Sequence, residues 1–386
     1  MGRGMKRLGW VWVVAAMCAT PAAAAQIVEG VAGDGARYAL AVPDAWNGDL
    51  IVYGHGIVDP AAPVALPGQQ DGFSRLRDAW LQRGFAVASS SYSENGFALK
   101  DAAQRLHQLS GLFTARFGRP SAVYLVGHSL GAAAIESLAE RFPDQYDAAL
   151  PMCGLLGGTL PEVQYLGDAR VLFDFYFPGV LPGDVLTVPD GIPFAPGDPA
   201  FLAALNALLG GFAAPGAPTV QFALAAKLPF SSGQEIVQAA LTALGFNLRF
   251  TNDLLERTHG QPFYDNTTTV YPGAANDGAG RFTATPAALN FLGHYFTPTG
   301  ELRVPTLTLH TMRDPAIPVF HERLFADAAT RAGAGDRLVQ RTVQRFGHCA
   351  FSDAEVLSSF DALVSWVRTG IRPAGGDATD NPSVRP

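Results

Sequence analysis

The pentapeptide Gly127-His128-Ser129-Leu130-Gly131 sets a serine between two glycines, directly after the apolar run Ala122-Val123-Tyr124-Leu125-Val126 and before a helix-like stretch from Leu130 to Arg141. A strand that turns at once into a helix leaves no room for a Cβ at either glycine. It also holds the serine hydroxyl above the strand ends, with a helix N-terminus that favours developing negative charge. Such a serine is a nucleophile for acyl transfer once a base stands beside it. Five-residue patterns arise by chance, and it is the strand–turn–helix context that gives this one weight against a tight turn with an idle serine.

The base is found by elimination. After a serine in this setting the chain supplies first the acid and then the histidine. Of eight histidines, His55, His107 and His128 precede Ser129. His259 and His294 lie in or beside a Gly- and Pro-rich middle segment, His310 falls inside a predicted strand and His321 begins a predicted helix. His348, in the loop Arg345-Phe346-Gly347-His348 between a strand and the last helix, is left as the expected base. Asp314, in Met312-Arg313-Asp314-Pro315 after the preceding strand, is the expected acid; it would fix the imidazole tautomer and balance the imidazolium. Asp336 and Asp327 are the alternatives, more naturally solvated. For the oxyanion hole, the expected donors are the N–H of Leu130 and that of Ile57 in Tyr53-Gly54-His55-Gly56-Ile57, one donor being worth about 3 kcal/mol. His55, His128 and Tyr92 are expected to bind substrate, Tyr92 from the loop after another strand.

The elements that must position these residues alternate along the chain. Strands are predicted near 38–42, 49–53, 85–89, 122–126, 148–152, 304–310 and 339–343, with helices near 73–83, 98–117, 130–141, 319–332 and 353–367. The pattern predicts an α/β fold, a mostly parallel sheet with helices on both faces. Residues 26–154 and 300–372 would form the catalytic domain. The intervening segment, 155–299, shows helical pieces (201–209, 235–244) and no strand alternation. The polar, Pro-rich tail 373–386 reads as disordered.

Ile51–Ile57, Val126–Gly131, Asp314 and His348 together resemble the α/β-hydrolase superfamily, in the branch of bacterial lipases and esterases with an apolar residue after the His-Gly pair. The resemblance implies acyl transfer through a covalent serine intermediate, with no metal and no organic cofactor. It also implies that 155–299 is a cap or lid. Phe173, Phe175, Tyr176, Phe177 and Val180, with Phe212, Phe222, Phe230, Phe246 and Phe250, would build that cap's core, a remainder lining an apolar pocket. Cys349 directly after His348 is similar to tannases and feruloyl esterases, where that cysteine is bonded to one adjoining the nucleophile. Here Ser129 has His128 and Leu130 as neighbours, so the pattern departs from theirs.

The first residues read as a secretory signal peptide of bacterial type: Arg3, Lys6 and Arg7, an apolar run from Leu8 to Met17, then small residues up to a cleavage site near Ala25. The run is short of the ~20 residues of a spanning helix, so no stable membrane anchor is expected. Removing three cations takes the formal net charge from −7 to −10, which argues against nucleic acid or anionic lipid as a partner. Forty-two glycines and twenty-eight prolines in a chain that is 48% hydrophobic point to many ordered loops. Cleavage would remove Cys18 and leave Cys153 and Cys349 in an oxidising compartment. Cys153 ends the strand after the nucleophile's helix and Cys349 follows the base, so both sit on loops converging on Ser129. A disulfide between them is expected, against two buried free thiols. The function expected is a secreted or periplasmic serine hydrolase of small-molecule or polymeric carboxylic esters. A serine peptidase or amidase of the same fold is the first alternative. A catalytically silent binding module is the second, and it would have lost one of Ser129, Asp314 and His348.

Overall fold

The computed structural model describes residues 25–68 and 72–380; the signal-peptide reading of residues 1–24 lies outside them. Nine strands form one sheet: β1 (Ala25–Val31), β2 (Arg37–Pro43), β3 (Leu50–Gly54), β4 (Ala86–Ser90), β5 (Val123–His128), β6 (Ala148–Met152), β7 (Thr306–Arg313), β8 (Leu338–Phe346) and β9 (Gly376–Asp377), in the order β1-β2-β4-β3-β5-β6-β7-β8-β9. β1 and β2 run antiparallel to their neighbours and the rest is parallel. Strands β3 to β6 are buried on both faces, which is why they are continuous apolar runs in the sequence.

Helices cover both faces: α1 (Phe73–Gln82), α2 (Leu99–Phe117) and α3 (Leu130–Arg141) in the first half. Between β6 and β7 the described residues form helices joined by loops and no strand, with α4 (Thr159–Tyr176), α5 (Pro199–Ala213), α6 (Pro218–Ala225), α7 (Gly233–Arg257), α8 (Ala275–Gly278) and α9 (Pro286–Phe296). The last two helices are α10 (Phe320–Arg331) and α11 (Asp353–Thr369). The helical insertion has a core of its own, in which Phe173 and Phe222 are fully buried with Leu208 and Leu244. Among the described residues no single helix is long and apolar enough to cross a membrane.

Two features differ from the sequence reading. β1 adds an edge strand where none was read, because half of it faces solvent (Ile27 is 53% and Val31 68% exposed) and it lacks a buried strand's apolar run. The tail is ordered as far as residue 380: β9 pairs with β8, Ala378 is buried, and the Asp380 N–H donates to Glu355 (2.8 Å). The polar residues that suggested disorder are hydrogen-bonded to the sheet edge, which they cover. Residues 381–386 lie outside the described ones.

Candidate active site

Ser129 stands at the N-cap of α3 with φ 54° and ψ −122°, a conformation sparsely populated by residues with a Cβ. Its N–H donates to the Met152 carbonyl (2.9 Å), which holds the turn against the end of β6. The flanking glycines leave no alternative. A Cβ on Gly131 would lie 2.3 Å from the Gly54 oxygen, and one on Gly127 would lie 2.7 Å from the Gly131 oxygen. Helix α3 can therefore press against the ends of β3 and β5 only with glycine at both positions.

Three side chains from three loops meet at this edge. His348 Nε2 is 2.9 Å from Ser129 Oγ, and His348 Nδ1 is 2.7 Å from Asp314 Oδ2. With Nδ1–H donating to the carboxylate, Nε2 is left to accept the serine proton. The other oxygen of Asp314 accepts the N–H groups of Ala316 and Ile317 (2.9 and 3.0 Å), and Asp314 is fully buried. The loop that carries His348 is fastened to β7, with Gly347 N–H on the Arg313 carbonyl (3.1 Å) and Ala350 N–H on Thr311 Oγ1 (3.1 Å). Cys349, next to His348, is disulfide-bonded to Cys153 at the end of β6, with Cα atoms 5.4 Å apart. Asp336 lies exposed in a turn before β8, far along the strand from this edge.

Behind Asp314 lies a second histidine. His310 Nδ1 is 3.1 Å from Glu322 Oε1 and Nε2 is 2.8 Å from the Ile317 carbonyl, so only an imidazolium donates to both. Burial opposes that charge most strongly, but the hydrogen bond and charge of Glu322, then the charge of Asp314, raise the His310 pKa above its usual value. Its Nε2 is 3.8 Å from Asp314 Oδ2, which places this imidazole directly behind that carboxyl group. The sequence reading had dismissed His310 as strand interior; its spacing of four residues from Asp314 is the signal that could have found it.

Ser129 opens on a narrow, apolar cavity of about 60 Å³ between the sheet edge and the insertion. Ile57 and Leu130 both line it, as do Phe97 and Leu155 from the sheet side and Phe246, Phe250 and Phe263 from the insertion. Phe173 and Phe177 do not; they pack inside the insertion. Nor do His55, Tyr92 and His128, which departs from the expectation that they face the cleft. All three are buried. Tyr92 stacks on the His55 ring (centroids 3.9 Å apart) and donates its hydroxyl to the His55 carbonyl (2.9 Å), bracing the loop that carries Ile57. His128 meets the Tyr53 hydroxyl (3.1 Å). Sequence reasoning missed Glu162, which lines the cavity from the first turn of α4; nothing in its surrounding sequence sets it apart from a solvated helix-start glutamate.

Several contacts moor the insertion over this cavity. Arg313, beside Asp314, pairs with Glu235 of α7 (3.1 Å). Asp253 of α7 accepts the Phe97 N–H (2.6 Å), and Arg257 bonds Glu94 and the Asn95 carbonyl (2.8 and 2.9 Å). Tyr165 of α4 donates to the Pro315 carbonyl (3.1 Å).

No protein-family model and no curated protein sequence matches the chain. Solved structures do match its fold. Feruloyl esterase B from Aspergillus oryzae superposes with a TM-score of 0.59 at 15% identity, covering 90% of this chain and 81% of its own. An esterase from Aspergillus oryzae superposes with a TM-score of 0.55 at 14% identity, covering 90% of this chain and 80% of its own. With its parallel sheet, its serine on the turn after β5 and these structural relatives, the chain has the α/β-hydrolase fold.

Proposed function

We propose that the chain is a serine hydrolase of carboxylic esters, with Ser129 as nucleophile, His348 as base and Asp314 as the acid that orients it. The observation that carries this reading is the continuous hydrogen-bonded line from Asp314 through His348 to Ser129, with the hydroxyl opening on a cavity. In the reaction, Ser129 Oγ attacks the ester carbonyl while its proton passes to His348 Nε2. The tetrahedral oxyanion takes the N–H groups of Leu130 and Ile57. Collapse expels the alcohol, which receives the proton from His348, and leaves an acyl-serine. Water, activated by the same histidine, then releases the acid and restores Ser129.

The insertion acts as the cap, and its aromatic side chains favour apolar acyl or alcohol groups. The Cys153–Cys349 bridge supports an exported protein, since such a bond persists in an oxidising compartment. The esters hydrolysed by the structural relatives named above motivate including feruloyl esters among the trial substrates.

The test is kinetic. On a ladder of p-nitrophenyl esters and their matched anilides, the protein should turn over esters, and Ser129→Ala should lower kcat by at least ~10³ without changing the unfolding midpoint. Anilides cleaved as fast as esters would make the protein an amidase instead. A Ser129→Ala variant with a tenth or more of the activity would remove Ser129 from the mechanism.

A further inference from the structure

Among the described residues lining the cavity, Glu162 is the single carboxyl group, and it is 5% exposed. The other polar groups of the wall are engaged in holding the insertion together. Asn247 accepts from Arg170 (2.8 Å) and donates to the Val185 carbonyl (3.1 Å) and Thr251 (2.9 Å), while the Tyr264 hydroxyl donates to Asp168 (2.6 Å). Glu162 is built differently. Its Oε2 is 3.0 Å from His321 Nε2, across from α10. The Gly157 N–H donates to His321 Nδ1 (3.0 Å), so Nδ1 is the acceptor and the ring proton sits on Nε2, pointing at Glu162. Burial, with the charge of His310, depresses the His321 pKa to about 3, so this partner is a neutral donor and not a cation.

A carboxylate held against apolar side chains, with no cation beside it among the described residues, is disfavoured by the loss of its hydration. The N-terminus of α4 offsets only a small part of that. The balance favours the neutral acid, and burial followed by the charge of Asp314 pushes the Glu162 pKa well above the ordinary carboxyl range. With Oε2 accepting from His321, the acid's proton belongs on Oε1.

We propose that Glu162 is a specificity-determining residue of the cavity, its carboxylic O–H donating a hydrogen bond to an acceptor oxygen that the substrate carries apart from the scissile ester. That oxygen is an ether, a ketone or a second ester carbonyl, set within an otherwise apolar group. The proposal rests on the esterase reading above and narrows its substrate class. His321 and the Gly157 amide position the acid; neither reaches the reacting atoms.

The experiment compares three series of p-nitrophenyl esters of equal acyl length: all-carbon, with an ether oxygen at each successive position, and with a terminal amine. Each is given to the wild-type protein, Glu162→Gln and Glu162→Leu. The readout is the ratio of kcat/KM for the ether ester over its carbon match, which is independent of how much of a variant is folded. The wild-type ratio should peak at about tenfold for one oxygen position. Glu162→Gln should keep the peak, because its amide N–H can donate in the same place, and Glu162→Leu should lose it. A flat wild-type ratio overturns the proposal. So does an amine series that outruns the ether series, which would mean that the group acts as a carboxylate, or a peak lost as completely in Glu162→Gln as in Glu162→Leu, which would mean that a hydrogen bond donated from this position does not set the preference. A wild-type protein that cleaves no ester of any series contradicts the esterase reading and the proposal with it.

Discussion

At the C-terminal edge of the sheet, main-chain hydrogen bonds fix the turns and loops that carry Ser129, Asp314 and His348, whereas in the helical insertion networks of buried polar side chains tie one helix or loop to the next. Asp314 takes two backbone N–H groups, the Ser129 amide is fixed on the Met152 carbonyl, and the His348 loop hangs from the Arg313 carbonyl. In the insertion, fully buried Arg170 pairs with Asp174 (2.9 Å) and donates to Asn247 (2.8 Å) and to the Pro182 and Gly183 carbonyls (both 2.9 Å). Asp168 gathers the hydroxyls of Tyr264 and Tyr271 (both 2.6 Å). A backbone-held site admits few residue types, because the strand ends dictate its geometry. A side-chain network can be rebuilt with other residues, and the walls of the cavity move with it. On the proposed function, the edge fixes the chemistry and the insertion selects what the chemistry is applied to.

This division can be broken from the edge first. Asp314→Asn should lower kcat by ~10⁴, because an amide cannot stabilise the same His348 tautomer, while Asp336→Asn should stay within about twofold. Comparable damage from both would show that the acid is not held where the backbone aims it. The next largest effect is on stability. Cys153 and Cys349 are 196 residues apart, and in the chain-entropy model the bridge contributes ~5 kcal/mol. Denaturant unfolding of the Cys153→Ala, Cys349→Ala protein should show a loss of that order, and activity should fall as the His348 loop loosens. Free thiols titrating at two per unfolded, unreduced chain would instead remove the bridge from the account.

Two phenylalanines of the insertion sharpen the contrast. Phe173→Ala, inside the insertion's own core, should cost ~3–5 kcal/mol of stability and leave the ranking of esters by acyl length unchanged. Phe250→Ala, in the cavity wall, should move that ranking toward bulkier acyl groups. If both variants change the ranking equally, the core and the wall of the insertion are not separable. The smallest effect concerns Glu136 of α3, on the sheet side, whose carboxyl oxygens are buried without a hydrogen-bond partner. Burial, then the charges of Glu140 and Glu322, raise its pKa well above 4.5. The folded state thus keeps a proton that the unfolded chain loses above that pH, and stability falls as pH rises past it. Glu136→Gln should gain on the wild type in thermal midpoint as the pH is raised above about 4.5. A difference independent of pH would show that the group is ionised in the folded protein.

The same division governs what could be read from the sequence. Periodicity locates strands such as 122–126 because burial on both faces forces an apolar run, and the pair Gly127 and Gly131 marks a turn that sterics allow to no other residue. Asp314 and His348 follow from where strands end. The insertion leaves no such trace: whether a phenylalanine faces its core, like Phe173, or the cavity, like Phe250, depends on how helices far apart in sequence pack. His55 and His128 were misplaced for a related reason, since residue type suggested chemistry while their contacts with Tyr92 and Tyr53 make them braces. Glu162 is legible only once His321, 159 residues away, is seen beside it.

The proposed function requires Ser129 to form a covalent acyl intermediate at the backbone-held edge. Incubation with a fluorophosphonate, followed by intact mass spectrometry and peptide mapping, tests it directly. The account predicts a single adduct, on Ser129, formed by the wild-type protein and by Glu162→Leu but absent from Ser129→Ala and strongly slowed in Asp314→Asn. An adduct that persists in Ser129→Ala, or that maps to another residue, would contradict it.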